Sequence, residues 1–209
     1  MEGIKNLIID LGGVLINLTR SRCIEAFEKL GFKNIREQIT NCNLHKNLIT
    51  QLEDGSITAS EFHDNIRLLT QHPLADAQID AAWIDMLDDI PDYKLDLLLE
   101  LRKHYNTMLL SNTNEIHWNW VEQHCFSYKG HQASDFFNRI YLSYRLHMLK
   151  PDVNIFEYVL RDAGIRPEET LLIDDAIPNC RTAESVGIHT YAPQPREDWS
   201  HLFSSQNWK

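Results

Sequence analysis

Short apolar runs alternate with helical patterns along most of the chain. Five runs have the length and the apolar character of buried strands, and they cover residues 7–9, 108–110, 140–142, 171–173 and 188–191. Stretches with apolar residues three and four positions apart separate most of these runs, and they predict helices at about 93–104, 115–124, 153–163 and 178–186. The alternation predicts an α/β protein with a parallel sheet covered by helices.

The first two strands are unusually far apart, and the segment between them is helical in pattern. Apolar residues such as Ile24 and Phe27 recur at helical spacing, and Thr58 and Glu61 have the spacing of a capping box. We therefore expect residues 19–92 to form a separate helical subdomain inserted after the first strand. The sheet domain is then made of residues 1–18 and 93–209.

Charge and cysteine usage narrow the class of protein. The 20 Lys and Arg residues are outnumbered by 30 Asp and Glu residues, so the net charge of −10 disfavours binding to nucleic acid or to an anionic membrane. The four cysteines form no Cys-x-x-Cys pair, which argues against a zinc knuckle and a disulfide framework. The apolar stretch 7–18 contains Asp10 and lacks the basic lead-in and the cleavage site of a signal peptide. We expect a cytoplasmic protein.

Polar residues follow the predicted strands at the places where ligands bind in open parallel sheets. Asp10 follows the first strand, and Asp174 and Asp175 follow the fourth. Carboxylates brought together at these strand ends would repel one another unless a cation lay between them, and Mg²⁺ is commonly bound by such groups. A purely structural alternative is that Asp10 caps the following turn and that Asp174 and Asp175 cap the helix near residue 178.

Two further strand ends supply groups that suit an anion. Ser111 and Asn112 offer a hydroxyl and backbone amides close to the start of the helix at 115, and Lys150 offers an ammonium. Each of these residues is ordinary by itself, because Ser and Asn are common in turns and Lys is usually a solvated surface charge. Together with the carboxylates they describe a phosphoryl-transfer site.

These motifs resemble those of the haloacid dehalogenase (HAD) superfamily of hydrolases with an Asp nucleophile. Four stretches match its four motifs in order: Ile8-Ile9-Asp10-Leu11-Gly12-Gly13-Val14, Leu110-Ser111-Asn112, Lys150-Pro151 and Ile173-Asp174-Asp175. Within the superfamily the motifs are similar to those of bacterial α-glucose-1-phosphate phosphatases. The resemblance covers residues 5–18 and about 93–191, whereas the inserted segment is similar mainly in being helical.

The resemblance implies a Rossmann-like core with a helical cap over the strand ends. It also implies a Mg²⁺-dependent phosphatase that acts on a small phosphorylated metabolite, and a sugar phosphate is the expected class of substrate. Asp10 would attack phosphorus and become an aspartyl-phosphate. Mg²⁺ would be held by Asp10, the carbonyl of Gly12 and Asp175, and by Asp174 directly or through water. Ser111, the amide of Asn112 and Lys150 would hold the phosphoryl oxygens.

Gly12 departs from the superfamily pattern, in which a second Asp follows two residues after the nucleophile and serves as general acid and base. The absence of this Asp leads to two alternative expectations. Either the substrates have good leaving groups, such as an anomeric oxygen, or a water or a residue of the cap supplies the proton. His45 is one candidate in the cap. The absence of this Asp also leaves open a catalytically weak protein that binds a phosphorylated ligand or a protein partner. A 2-haloacid dehalogenase would leave Asp174 and Asp175 unexplained.

Two features are left undecided by the sequence. The segment 193–209, which contains Trp199 and Trp208, could pack on the core or on another subunit. The oligomeric state is unknown.

Overall fold

A computed structural model describes residues 3–40 and 47–203 of the chain. Its sheet has five parallel strands in the order β3-β2-β1-β4-β5. The strands are β1 (Asn6–Ile9), β2 (Asn106–Ser111), β3 (Arg139–Leu142), β4 (Thr170–Ile173) and β5 (His189–Tyr191). The α/β class and each predicted strand are confirmed, with end positions that differ by at most a few residues.

Helices precede, follow and cover the sheet. In the inserted region they are α1 (Arg20–Lys29), α2 (Ile35–Thr40), α3 (Leu48–Glu53), α4 (Ala59–Thr70) and α5 (Asp76–Ile84). In the sheet region they are α6 (Asp92–His104), α7 (Glu115–His124), α8 (Ala133–Phe136), α9 (Ser143–Leu146), α10 (Val153–Ala163) and α11 (Ile177–Ser185), and single 3₁₀ turns lie at Pro167–Glu169 and Trp199–Phe203. Helix-period patterns predicted α6, α7, α10 and α11 to within a few residues, whereas α8 and α9 are too short to show a period.

The central strand β1 sets the positions of the functional loops. All four of its residues are buried because strands lie on both sides of it and helices cover the sheet, which explains the apolar run of its last three residues. Ile9 pairs with Leu109 of β2 and with Ile173 of β4. The residue after β1, Asp10, therefore lies beside Asp174 at the carboxyl edge of the sheet.

The inserted helices pack as one body with the sheet region. Phe27, Phe62 and Trp83 of the insert belong to the same continuous hydrophobic core as Leu98 of α6. The predicted capping box is present at α4, where Thr58 Oγ1 accepts the Glu61 N–H at 3.2 Å, and Glu61 Oε2 accepts the Thr58 N–H at 2.8 Å. The division into a core of residues 1–18 and 93–209 and a cap of residues 19–92 stays a prediction.

The helices and the cysteines of the described residues bear on membrane spanning and on thiol chemistry. In residues 3–40 and 47–203, no helix has the length and the hydropathy needed to span a bilayer. Cys23, Cys125 and Cys180 are buried free thiols, and burial raises the pKa of each of them. Cys42 lies outside the described residues.

The segment after β5 packs on the core of its own chain. Trp199 is only 1% exposed, and its indole Nε1–H donates to the carbonyl of Val14 at 3.1 Å. Phe203 is also buried, and its ring meets those of Trp199 and Tyr105 edge to face. The sequence allowed this segment to pack either on the core or on another subunit, and residues 199–203 pack on the core. Trp208 lies outside the described residues.

Replacing Trp199 by Ala is expected to lower the free energy of unfolding by about 3–5 kcal/mol, because it removes a large buried ring and leaves the Val14 carbonyl with one donor fewer. Urea denaturation followed by circular dichroism measures this change. Leu202→Ala is the matched control, since Leu202 is only partly buried in the same turn. If neither variant shifts the unfolding midpoint, this segment adds little to stability.

Candidate active site

The predicted site residues converge at the carboxyl edge of the sheet. All of them except Asp174 line one cavity of about 620 Å³, namely Asp10, Gly12, Ser111, Asn112, Lys150 and Asp175. Asp174 is fully buried behind this cavity. Parallel strands with matched register bring together the residues at the ends of β1, β2 and β4. Lys150 comes from further along the chain, after β3 and the short helix α9.

Lys150 is a buried cation between two carboxylates. Its Nζ lies 3.0 Å from Asp10 Oδ2 and 2.6 Å from Asp174 Oδ2, and it donates to the carbonyl of Leu110 at 3.0 Å. Burial disfavours the charged ammonium, but the two carboxylates more than offset burial and raise the pKa of Lys150. Lys150 is therefore charged at neutral pH and fixed in position.

Asp10 and Asp175 carry negative charge that one lysine does not balance. Burial raises the pKa of Asp10 to about 7; Lys150 opposes this rise, and Asp174 and Asp175 add to it. Burial and Asp174 likewise raise the pKa of Asp175. Asp10 Oδ1 accepts the N–H of Leu11 at 2.7 Å. This bond to the next residue orients the carboxylate.

Asp174 is held on both of its carboxylate oxygens. Oδ1 accepts the N–H of Ala176 at 2.9 Å, and both oxygens lie 3.0 Å from the side-chain amide of Asn179. Oδ2 also accepts from Lys150. The bond from Ala176 fixes the turn before α11, but the helix itself begins at Ile177 without a side-chain cap, so the expected capping by Asp174 is not found. Asp174 instead anchors Lys150.

The three acidic residues form a group that suits a hard divalent cation. One carboxylate oxygen from each of Asp10, Asp174 and Asp175 lies within 4.8 Å of the others. Oxygen ligands with net negative charge are the donors that Mg²⁺ prefers. Burial is the main cause of the raised pKa values of Asp10 and Asp175, and repulsion from the neighbouring carboxylates adds to it. A dication would offset both effects, because it favours the ionised carboxylates.

Gly13 is a site residue that was not among those predicted from the sequence. Its φ is +78°, and a Cβ at this position would lie 2.3 Å from Asp175 Oδ2. Only glycine lets the loop after β1 pass this close to the carboxylate, so any side chain here would displace Asp175. The pair of glycines that follows Leu11 was the feature of the sequence that could have indicated this close approach.

Asn112 joins the loops after β2 and before α10. Its side-chain Nδ2 donates to the Lys150 carbonyl at 2.8 Å, and its Oδ1 accepts the Lys150 N–H at 2.9 Å. The Lys150–Pro151 peptide bond is cis. Ser111 is 2% exposed, and its hydroxyl makes a long 3.4 Å contact with the Asn112 carbonyl. The Asn112 side chain thus positions Lys150, and the Ser111 hydroxyl lines the cavity.

The inserted helices supply the other wall of the cavity. Arg20, Thr50, Glu53 and Trp83 line it opposite the strand ends. These residues could not be predicted from the sequence, because helical periodicity shows which face of a helix is buried but not which distant segment it contacts. His45, the cap candidate named from the sequence, lies outside the described residues.

The sequence profile described as "haloacid dehalogenase-like hydrolase" matches residues 4–187. The chain belongs to this family. The match spans β1 to β4 together with the insert, so the HAD assignment made from four short motifs is confirmed over the greater part of the chain.

Similar HAD proteins have been characterised and crystallised. The chain is 33% identical over 196 residues to the D-ribitol-5-phosphate phosphatase of Bacteroides thetaiotaomicron, covering 94% of this chain and 95% of that protein. It is 54% identical to a HAD family enzyme of the same species crystallised with magnesium and inorganic phosphate, with a TM-score of 0.91 and coverage of 96% and 99%. A HAD-like hydrolase of Porphyromonas gingivalis is 35% identical, with a TM-score of 0.89 and coverage of 96% of each chain.

Proposed function

We propose that this HAD hydrolase is a Mg²⁺-dependent phosphatase that acts on a small phosphorylated polyol or sugar through an aspartyl-phosphate on Asp10. The placement of the Lys150 ammonium, 3.0 Å from Asp10 and 2.6 Å from Asp174, carries the proposal. A cation beside a nucleophilic carboxylate neutralises an incoming phosphoryl group, and Asp175 adds a second carboxylate for a metal. Two relatives support the proposal, one named as a phosphatase and one crystallised with magnesium and phosphate.

Mg²⁺ would be held by Asp10, the backbone carbonyl of Gly12 and Asp175. Asp174 would act through water, because both of its oxygens already accept hydrogen bonds from Lys150, Asn179 and the Ala176 N–H. The ion would neutralise the charge of the phosphoryl oxygens and the repulsion among the carboxylates.

The residues of the chain have distinct roles in the proposed reaction. Asp10 Oδ1 is fixed by the Leu11 N–H, and the carboxylate attacks phosphorus. Lys150, the Ser111 hydroxyl and the Asn112 backbone amide hold the phosphoryl oxygens. Water then attacks the aspartyl-phosphate, which releases phosphate and restores the Asp10 carboxylate.

The cavity favours a substrate with several hydroxyl groups. Its volume of about 620 Å³ lies within the range of small-molecule sites. Arg20, Thr50 and Glu53 offer polar contacts on the insert side, whereas Ile49 and Trp83 give an apolar wall. The relative named for D-ribitol 5-phosphate acts on a polyol phosphate, whose leaving group is an alkoxide and not an anomeric oxygen.

Phosphate release from a panel of substrates tests the function. The panel contains D-ribitol 5-phosphate, α-glucose 1-phosphate, a nucleotide and an acyl phosphate, each with Mg²⁺ and with EDTA. We expect turnover of a polyol or sugar phosphate that falls at least about tenfold in EDTA, because the carboxylate cluster needs a dication to accept a phosphoryl group.

Each result of the panel decides between stated alternatives. A marked preference for the anomeric phosphate would support the hypothesis that Gly12 narrows the substrates to good leaving groups, and equal rates on anomeric and alkyl phosphates would contradict it. No turnover of any substrate would contradict the phosphatase function and favour the weakly catalytic binding protein. Retention of D-ribitol 5-phosphate without turnover, measured by calorimetry, would then identify the ligand class.

A further inference from the structure

The site contains a nucleophile, a buried ammonium and carboxylates for a metal, and a glycine lies two residues after the nucleophile. Gly12 has no side chain with which to protonate a leaving group. An alkoxide is a poor leaving group, and a positioned general acid typically contributes about 10² to 10⁴ in rate. If the protein hydrolyses alkyl phosphates, another group must supply the proton.

Few titratable side chains of the described residues line the cavity, namely Asp10, Arg20, Glu53, His117, Lys150, Asp152 and Asp175. Asp10, Lys150 and Asp175 already have roles in the proposed reaction. Asp152 caps α10 through a 2.9 Å bond from the Asn154 N–H. Arginine does not release its proton near neutral pH. His117 and Glu53 are left.

His117 is not available as an acid. Its Nε2 lies 3.0 Å from the Trp83 carbonyl, and its ring stacks on the Trp83 indole at 4.6 Å between centroids. Burial lowers its pKa to about 4. The ring is therefore neutral at pH 7 and donates its Nε2 proton to the Trp83 carbonyl.

Glu53 is held at the cavity by contacts with the sheet region. It is the last residue of α3, it is half-buried, and its backbone carbonyl lies 2.7 Å from Ser143 Oγ. Ser143 Oγ in turn accepts the N–H of Thr113 at 2.9 Å, in the loop that begins with Ser111 and Asn112. One buried hydroxyl thus links the position of Glu53 to the phosphoryl-binding loop.

The turn after Glu53 is pressed against the same region. A Cβ at Gly55 would lie 2.2 Å from the Tyr144 carbonyl, and φ at Gly55 is +71°. His147 Nδ1 lies 3.1 Å from the Asp54 carbonyl. Residues 53–55 are therefore clamped on residues 143–147, and the glycine of the turn is required for this close approach.

The surroundings of Glu53 suit proton exchange near neutral pH. Burial raises its pKa to about 7; Arg20 opposes this rise, and Asp54 adds to it. Arg20 also opposes the rise in the pKa of Asp175, so one guanidinium acts on both Glu53 and the carboxylate cluster. A carboxyl group with a pKa near the working pH can both give and take a proton.

We propose that Glu53, clamped at the cavity by Ser143, is the general acid and base that Gly12 cannot provide. The assignment rests on the proposed phosphatase function. As Asp10 attacks phosphorus, the bond from phosphorus to the ester oxygen breaks, and that oxygen takes the Glu53 proton to leave as an alcohol. The Glu53 carboxylate then takes a proton from water as the water oxygen attacks phosphorus. The bond from Asp10 to phosphorus breaks, and phosphate leaves.

Glu53→Gln separates this role from binding when it is assayed on two leaving groups. We expect kcat on D-ribitol 5-phosphate to fall about 10²- to 10⁴-fold, whereas p-nitrophenyl phosphate, whose phenolate leaves without a proton, loses only a few-fold. The first step requires the protonated acid, so kcat/KM of the native enzyme for the polyol phosphate falls as pH rises through about 7. Glu53→Gln abolishes this alkaline limb.

Two controls accompany the variant. Glu25→Gln removes the same charge from an exposed position of α1 in the same insert and should leave both rates unchanged. Carbon-13 carboxyl NMR of the native protein labelled in glutamate should show a resonance that titrates near pH 7, and this readout does not depend on the folding of any variant.

Three results would overturn the proposal. Equal losses on the two substrates with an unchanged pH profile would show that Glu53 acts in binding or in folding. The absence of any glutamate that titrates near pH 7 would remove the proton donor. A native protein that releases phosphate from neither substrate would overturn the phosphatase function itself, and this assignment with it.

Discussion

Asp10→Asn is expected to lower kcat for phosphate release at least about 10⁴-fold, because the variant keeps the shape of the side chain but loses the nucleophilic oxygen. The Lys150 ammonium then lies beside a neutral amide, so a phosphoryl group still meets positive charge but no attacking group. Steady-state phosphate release with Mg²⁺, measured on native and variant protein, gives the ratio.

The same variant should fold normally. Burial raises the pKa of Asp10 to about 7, which means that the native fold disfavours its ionised form relative to the unfolded chain. For a carboxyl group with a raised pKa, the folded state binds more protons, so the penalty grows as pH rises from 3.8 through about 7. At pH 8 the uncharged asparagine of the variant should therefore cost no more than about 1 kcal/mol of stability, which thermal unfolding measures.

Acid quenching during turnover tests the intermediate directly. Native protein mixed with substrate should carry one added phosphoryl group in its mass spectrum, and Asp10→Asn should carry none. Residual activity of Asp10→Asn above about a tenth of native would assign the nucleophile to another residue. A phosphorylated Asp10→Asn protein would lead to the same conclusion.

The positions of the strands could be predicted because a parallel sheet buried on both faces requires continuous apolar runs. The residues after β1, β2 and β4 were then candidates for chemistry on topology alone. The bounds of α7 and α10 follow from strong local signals, since Asn114 and Asp152 cap their first turns. Helix caps of this kind can be predicted from the sequence alone.

The wall contributed by the insert could not be predicted in the same way. Glu53 meets Ser143 across 90 positions of sequence, and no periodicity or cap signals such a contact. The capping box of Thr58 and Glu61 was predicted, but it explains how α4 begins and not what the preceding turn contacts. Long-range packing decides which polar residue of a helix enters a cavity.

Asp174 shows that structural and functional interpretations of one residue can both hold. The sequence offered two alternatives, a helix cap or a metal ligand. In the structure Asp174 accepts the N–H of Ala176 in the turn before α11, which has no side-chain cap, and it also makes a 2.6 Å contact with Lys150. A buried carboxylate can accept several hydrogen bonds, so fixing this turn does not prevent it from anchoring the cation of the site.

Lys150→Met is expected to lower the free energy of unfolding by about 3–5 kcal/mol in EDTA, because it removes the ammonium between Asp10 and Asp174 and leaves buried carboxylates without a partner. Turnover should fall at least about 10²-fold, since the phosphoryl oxygens lose a positive charge. Urea denaturation in EDTA and in Mg²⁺ measures the first effect, and phosphate release measures the second.

Lys94→Met is a control of matched burial. Lys94 is also 3% exposed, but its Nζ donates to the Val14 carbonyl at 2.5 Å instead of lying between two carboxylates. Burial lowers its pKa, so its charge is itself disfavoured by the fold. Its replacement should cost no more than about 3 kcal/mol, which is the cost of leaving one carbonyl without this donor.

Magnesium should distinguish the two lysine variants. In Lys150→Met the dication becomes the main positive charge near three carboxylates, so saturating Mg²⁺ should restore part of the lost stability by binding the folded state. In Lys94→Met, saturating Mg²⁺ should raise the free energy of unfolding by no more than it does in native protein. Equal gains in both variants would mean that the carboxylates beside Lys150 do not form the metal site, and would overturn the ligand assignment on which the phosphatase mechanism depends.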